Sequence, residues 1–245
     1  MSELNKSRRQ IAIFLLLLFV FSAVFYCLIL IAHKLEAGKG LYVSGLMWCP
    51  ALAAIGTLKL RGRKLSELGW RWPATRYAVA SWIVPLLYAT IAYLFIWILG
   101  FGGFPNQEFM GQLVERMGLK ASPTLSTAVY PVLIGADYNA GTPTWYGLTC
   151  FTVMVLAISF VFAWMRLKSG SLWTGALLHA SHNLYVQSIF TPLTHKSGNT
   201  AWFIDEFGVV LPIVAIAFAI FSWSRRGELK PIMRRPTGQQ LAATG

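Results

Sequence analysis

Ser171 to Phe190 reads SLWTGALLHASHNLYVQSIF. It is an apolar run close to the roughly 20 residues that a helix needs to cross a bilayer core. Yet it carries His179, His182, Asn183 and Gln187. At helical spacing these fall at i, i+3, i+4 and i+8, so the sequence predicts that they share one face. Gly175, four residues before His179, extends that face and is expected to admit a neighbouring backbone. With a rise of about 1.5 Å per residue, His179 lies roughly 12 Å from the helix start, near the bilayer midplane. Imidazole and amide groups at that depth are costly against lipid, so they are expected to point into a protein interior or a water-filled cavity. The stretch therefore reads as one helix of a polytopic membrane bundle, with its polar face inward.

The rest of the chain agrees with that reading. Of its 245 residues, 56% are hydrophobic and 12% charged, and the mean hydropathy is +0.57, more apolar than a soluble domain sustains. Six apolar runs are long enough, or nearly so, to span: Ile11 to Ala32, Leu41 to Thr57, Tyr77 to Gly100, Trp145 to Trp164, Ser171 to Phe190, and Phe207 to Trp223. Lys6, Arg8 and Arg9 precede the first, as they would a signal peptide. Its apolar core is too long for one, and no small-x-small cleavage site follows, so an anchor is expected.

Placing the N-terminus inside puts Met1 to Gln10, Leu58 to Arg76, Met165 to Gly170 and Ser224 to Gly245 on the cytoplasmic face. Only Lys34, Lys39, Arg116, Lys120 and Lys196 then remain on the other side. This asymmetry satisfies the positive-inside rule and accounts for the net charge of +12 without a nucleic-acid partner. The expected fold is an all-α polytopic membrane helix bundle of about six transmembrane helices, with both termini cytoplasmic and 1–245 forming a single membrane domain.

Two non-spanning stretches stand apart. RGRKLSELGWRWPATR, Arg61 to Arg76, interleaves Leu65, Leu68, Trp70 and Trp72 with basic residues and suits the headgroup region of an anionic leaflet. Phe101 to Pro143 is long and includes AVYPVLIGA at Ala128 to Ala136, which is too short to span as a helix. Cys27, Cys49 and Cys150 are odd in number and widely spaced, which favours packing residues over a disulfide framework or a zinc knuckle.

The polar face has two physical readings. Its groups can hydrogen-bond between helices and hold a bundle together, or they can line a reactive cavity. Upstream of the quoted helix, ADYNAGTPTWYGLTCFTVMVLAISFVFAWMRLKSGSLW leads into it. Together these segments resemble the C-terminal part of the CPBP family, the intramembrane proteases that include type II CAAX prenyl endopeptidases and abortive-infection or bacteriocin-immunity homologues. The His-x-x-x-Asn of that family's last motif matches His179 and Asn183. The resemblance is close over about 130–190 and loose before Pro123, where it rests on the order of spans and on the phrase LSELGWRWP.

The resemblance implies peptide-bond hydrolysis within a cell membrane, a bacterial plasma membrane, acting on a membrane-embedded or prenylated peptide among membrane lipids. It implies His179 and Asn183 as the remnant of a catalytic motif, with His182, Gly175 and Gln187 lining a substrate cavity. Zinc enters as a cofactor by resemblance alone, and two histidines fall short of the three protein ligands of a catalytic zinc site.

This chain departs from the family in a definite place. It contains no Glu-Glu-x-x-x-Arg, and none of its four histidines has an aromatic residue four positions earlier. Its nine acids all fall in expected loops or tails, so no expected span holds a carboxylate. Val129 stands where the second motif's histidine belongs in YPVLIGADYNAGTP, as though an internal block of about two helices were missing. The expectation is therefore a homologue impaired in catalysis. One alternative is a non-catalytic membrane binding or bacteriocin-immunity type of protein. A third is a hydrolase that recruits Asp137, Glu108 or Glu115 from the outer loop.

Overall fold

The computed structural model describes residues 3–32, 41–117 and 141–229, and among these it is helical, with no strand beyond one isolated bridge. AVYPVLIGA and Asp137, together with the side chain of Glu115, lie outside the described residues. Contacts within the chain divide it into two compact units, Met1–Trp70 and Arg71–Gly245. Three helices are long and apolar enough to cross a membrane, over Asn5–Ala32, Thr75–Ile98 and Thr144–Ser169.

The first unit holds α1 (Glu3–Ala32) and α2 (Leu41–Leu60), which pack against each other. Neither has a polar face beyond its ends. Leu15, Leu16, Phe19, Leu30 and Ile31 of α1 are exposed, so the helix is apolar all round and long enough to cross a membrane. The apolar part of α2, Ser44–Leu60, is shorter than a full span. Thr57 repays its polar burial locally, its Oγ1 donating to the Ala53 carbonyl at 2.7 Å. The loop read as interfacial then makes one 3-10 turn, Leu65–Leu68, closed by an Arg63 to Glu67 ion pair. Leu65 and Trp70 are exposed there.

In the second unit α3 (Thr75–Ile98), α5 (Thr144–Ser169), α6 (Leu172–Asn183) and α7 (Val210–Ser224) form a bundle, and α4 (Gln107–Met117) is a short amphipathic helix beyond the end of α3. α6 packs against α3 and α5, and α7 packs against the same two. At about 1.5 Å per residue α3 and α5 are each long enough for a core of about 30 Å, whereas α7 is about 22 Å long. Small residues carry the close contacts: Ala89, Ala92, Ala157 and Ala215 are buried with Tyr88, Tyr93, Ile96, Met154, Val186 and Leu211. This matches the rule that helices in an apolar solvent associate through small side chains and hydrogen bonds. Ser181 Oγ donates to the Ser81 carbonyl at 2.6 Å, joining α6 to α3.

α5 turns into α6 at Ser169, Gly170 and Ser171. Gly170 takes the left-handed conformation, φ 67°, that an α-helix exit favours. Ser171 then caps α6 by accepting from the Trp173 amide.

The helix expected over Ser171 to Phe190 is therefore present but not uniform. α6 passes into a π-helix, Leu184–Phe190, and a last turn, Thr191–Leu193.

Residues 191–209 fold over the opposite end of the bundle. Gly103 and His195 form the bridge, and the Trp97 indole donates to Thr194 Oγ1 at 2.9 Å. Phe101 stacks on Phe203 at 3.8 Å, and Tyr146 Oη donates to the Trp202 carbonyl at 2.6 Å.

Candidate functional site

The site is organised by Glu206, which lies in the loop before α7. Between Trp202 and Val209 the chain makes a closed turn, with the Val209 amide bonded to the Trp202 carbonyl at 3.0 Å. Asp205 sits at its tip with φ 58°, and its Oδ1 accepts from the Phe207 amide at 2.8 Å, an Asx turn. Gly208 is required by closeness, because a Cβ there would lie 2.3 Å from the Phe203 carbonyl carbon. This turn directs Glu206 into the bundle, where it is only 3% exposed.

Glu206 Oε1 accepts from Gln187 Nε2 at 2.8 Å and lies 3.0 Å from His182 Nε2. On the other side of the ring, His182 Nδ1 is 2.6 Å from the hydroxyl of Tyr88, which is fully buried on α3. The arrangement fits a neutral imidazole whose Nε2–H donates to the carboxylate while Nδ1 accepts from the phenol. One network thus joins α3, α6, the π-helix and the turn before α7. Among the described residues, no buried side-chain nitrogen or oxygen lacks a partner.

The π-helix explains why His182 and Gln187 reach the same oxygen. In an α-helix residues five apart diverge by roughly 140°. The i→i+5 bonding of a π-helix brings them into line. The sequence reading put Gln187 on a face with His179 through strict α spacing. The same reading put His182 on that face, and the structure keeps Gln187 with His182 on one carboxylate oxygen while His179 stands apart.

His179 is corrected. It is exposed among the described residues rather than turned into the interior, and its contact is with Asn183 one turn on, Nδ2 to Nε2 at 3.3 Å. The inward face of α6 is instead Thr174, Leu178, Ser181 and His182. A Cβ on Gly175 would meet open space, so Gly175 is not the close-approach point expected of it.

Glu206 lies outside the spans, as the sequence places it, yet the turn before α7 brings its carboxylate to the polar face. Its signal in the sequence is FIDEFGV, Phe203 to Val209. An Asp-x-Phe-Gly turn surrounded by apolar residues leaves the intervening glutamate no water to face. Tyr88 carries no comparable signal. Glu108, an alternative base from the loop, is exposed in the first turn of α4.

Partial burial, reinforced by the charge of Glu206, pushes the carboxyl of Asp205 up to about 7. The residues present do not fit a catalytic zinc. Both ring nitrogens of His182 are engaged, and among the described residues no three His, Cys, Asp or Glu gather as a ligand set.

Two cavities open at the capped end, away from both histidines. One of about 360 Å³ is lined by Tyr146, Asn199, Trp202 and Phe203, and one of about 400 Å³ lies between Phe101 and the Ser197 to Thr200 turn. Compared with known proteins, the chain matches no family model, no curated protein and no solved structure.

Proposed function

We propose that the chain is a membrane-embedded homologue of the CPBP intramembrane endopeptidases that has no independent peptide-bond hydrolysis, with six spans and both termini cytoplasmic. The supporting observation is the engagement of His182. A general base must reach the water whose proton it takes. Here Nε2 is held by Glu206 and Nδ1 by Tyr88, in a site where all three side chains are buried. His179 is exposed and its hydrogen bond is to the Asn183 amide, so no described carboxylate is bonded to the ring to orient it as a base. The histidine bonded to the carboxylate is buried, and the exposed one has no carboxylate bonded to it.

The test is incubation of the purified chain with a farnesylated peptide and with a transmembrane peptide, each with and without added zinc. No cleavage is expected. Turnover that disappears in His179→Ala would overturn the reading. Cysteine-accessibility labelling at Ser66 and Asn139 tests the topology, because the same sidedness for both is incompatible with six spans.

The aromatic cavities at the capped end favour a second reading, a non-catalytic membrane binding protein of the immunity type. A peptide or lipid that co-purifies uncleaved and is displaced by Phe203→Ala would select it.

A further inference from the structure

The two ends of the second unit differ in charge. α3 and α6 begin, and α5 and α7 finish, at the end opposite the 191–209 cap. The hairpin at Gly170 ties that end together. Ser171 Oγ donates to the Arg71 carbonyl at 2.6 Å, and the Trp72 and Trp173 rings lie 5.8 Å apart. On the adjoining edge the Trp164 indole donates to the Arg225 carbonyl at 3.2 Å, and Lys168 sits 4.4 Å over the Trp164 ring. Arg226 lies 4.7 Å over Trp223, and Arg76 lies 4.8 Å over Tyr77.

Arg71, Arg76, Arg166, Lys168, Arg225 and Arg226 thus collect at one end. The carboxylate among them, Glu228, is paired with Lys168 and Arg225, and that pairing holds its carboxyl below the usual range. Arg71, Arg76 and Arg226 are exposed, as are Trp72, Trp173 and Trp223. Indoles and cations alternate around the ends of helices whose flanks are apolar. This combination belongs at the headgroup level, where the ring is amphipathic and the cation meets lipid phosphate.

We infer that this end of the second unit selects anionic phospholipid headgroups over zwitterionic ones, with Arg71, Arg76 and Arg226 as the exposed contacts. The inference rests on the membrane reading but not on the protease resemblance. A cationic cluster meeting a neutral headgroup gains little, because the ammonium of that headgroup opposes it. A phosphatidylglycerol headgroup carries an uncompensated charge. Each basic residue near such a surface is worth up to about fivefold in partitioning.

The chain is reconstituted into phosphatidylcholine vesicles containing either brominated phosphatidylglycerol or brominated phosphatidylcholine, and quenching of tryptophan emission gives the relative binding of each. Stronger quenching by phosphatidylglycerol is expected. That preference should fall in R71Q/R76Q/R226Q, persist in R71K/R76K/R226K and in Lys196→Gln at the capped end, and weaken for the unaltered chain in 1 M salt. Salt makes the test independent of how well the triple variant folds. Equal quenching by the two lipids, a preference unchanged by the glutamine variant, or its displacement by millimolar inorganic phosphate would each overturn the inference. Quenching by neither lipid would remove the membrane reading beneath it.

Discussion

His179 and His182 stand three residues apart on one helix, and their surroundings are opposite. His182 is closed between Tyr88 and Glu206, whereas His179 is exposed beside Asn183. The inward histidine is a structural junction of the bundle, and the outward one is free to meet another molecule. Identical side chains on one helix thus acquire different work because only one of them meets a carboxylate that a distant turn delivers. In an apolar interior a polar group is stable only with its full set of partners, so the position of Glu206 decides which histidine can be buried.

The largest effect should come from removing the carboxylate or its partner. His182→Ala leaves Glu206 buried with the Gln187 amide but without the imidazole, and a buried charged acceptor short of a donor loses more than the roughly 1 to 3 kcal/mol of a neutral group. Thermal unfolding in detergent, followed by circular dichroism, should show a much lowered midpoint. A midpoint equal to that of the unaltered chain would contradict the junction. Glu206→Gln retains the shape and removes the charge, so its loss should be smaller than that of Glu206→Ala.

Tyr88→Phe comes next. It removes one hydroxyl and leaves His182 Nδ1 without its acceptor bond, a loss of about 1 to 3 kcal/mol. If Nδ1 instead finds a water, the midpoint will hardly move, and the network must then be open to solvent.

The pH dependence probes the turn that aims Glu206. Asp205 holds its proton up to about 7 in the folded chain, and the unfolded chain releases it near the ordinary carboxylate value. The folded state therefore binds more protons within that window. The stability contributed by this group is complete below the unfolded value and falls as pH rises towards 7, by no more than about 1.4 kcal/mol per pH unit. It is level above 7. Asp205→Asn should flatten this slope, with the Asx turn retained because the amide oxygen still accepts. An unchanged slope would assign the pH dependence to another group.

The smallest effect belongs to the open histidine. His179→Ala should stay within about 0.5 kcal/mol of the original stability, like other exposed substitutions. A loss comparable to that of His182→Ala would erase the contrast between the two sides of the helix.

Much of the architecture was legible beforehand. The apolar runs at 11–32, 77–100 and 145–164 became the three long apolar helices, because continuous apolarity over a bilayer's length leaves few other choices. The sequence puts His179, His182, Asn183 and Gln187 on one inward face, of which the structure buries His182 and leaves His179 exposed. Strict α spacing could not foresee the π-helix at Leu184–Phe190. That segment is stabilised by contacts far along the chain, including Gln187 to Glu206, and local propensity does not encode them.

The sequence by itself determined that the described residues are helical with three apolar helices of bilayer length, that basic residues gather at particular helix ends, and that a few imidazole and amide groups interrupt one apolar helix. These follow from composition and periodicity, which act over a few turns of chain. Only the tertiary structure decided that Glu206 belongs to that helix, that Tyr88 closes the far side of His182, and that His179 stays outside. A buried ionisable group takes its partners from whatever the fold brings within hydrogen-bond distance, and that choice is made across the bundle rather than along the chain.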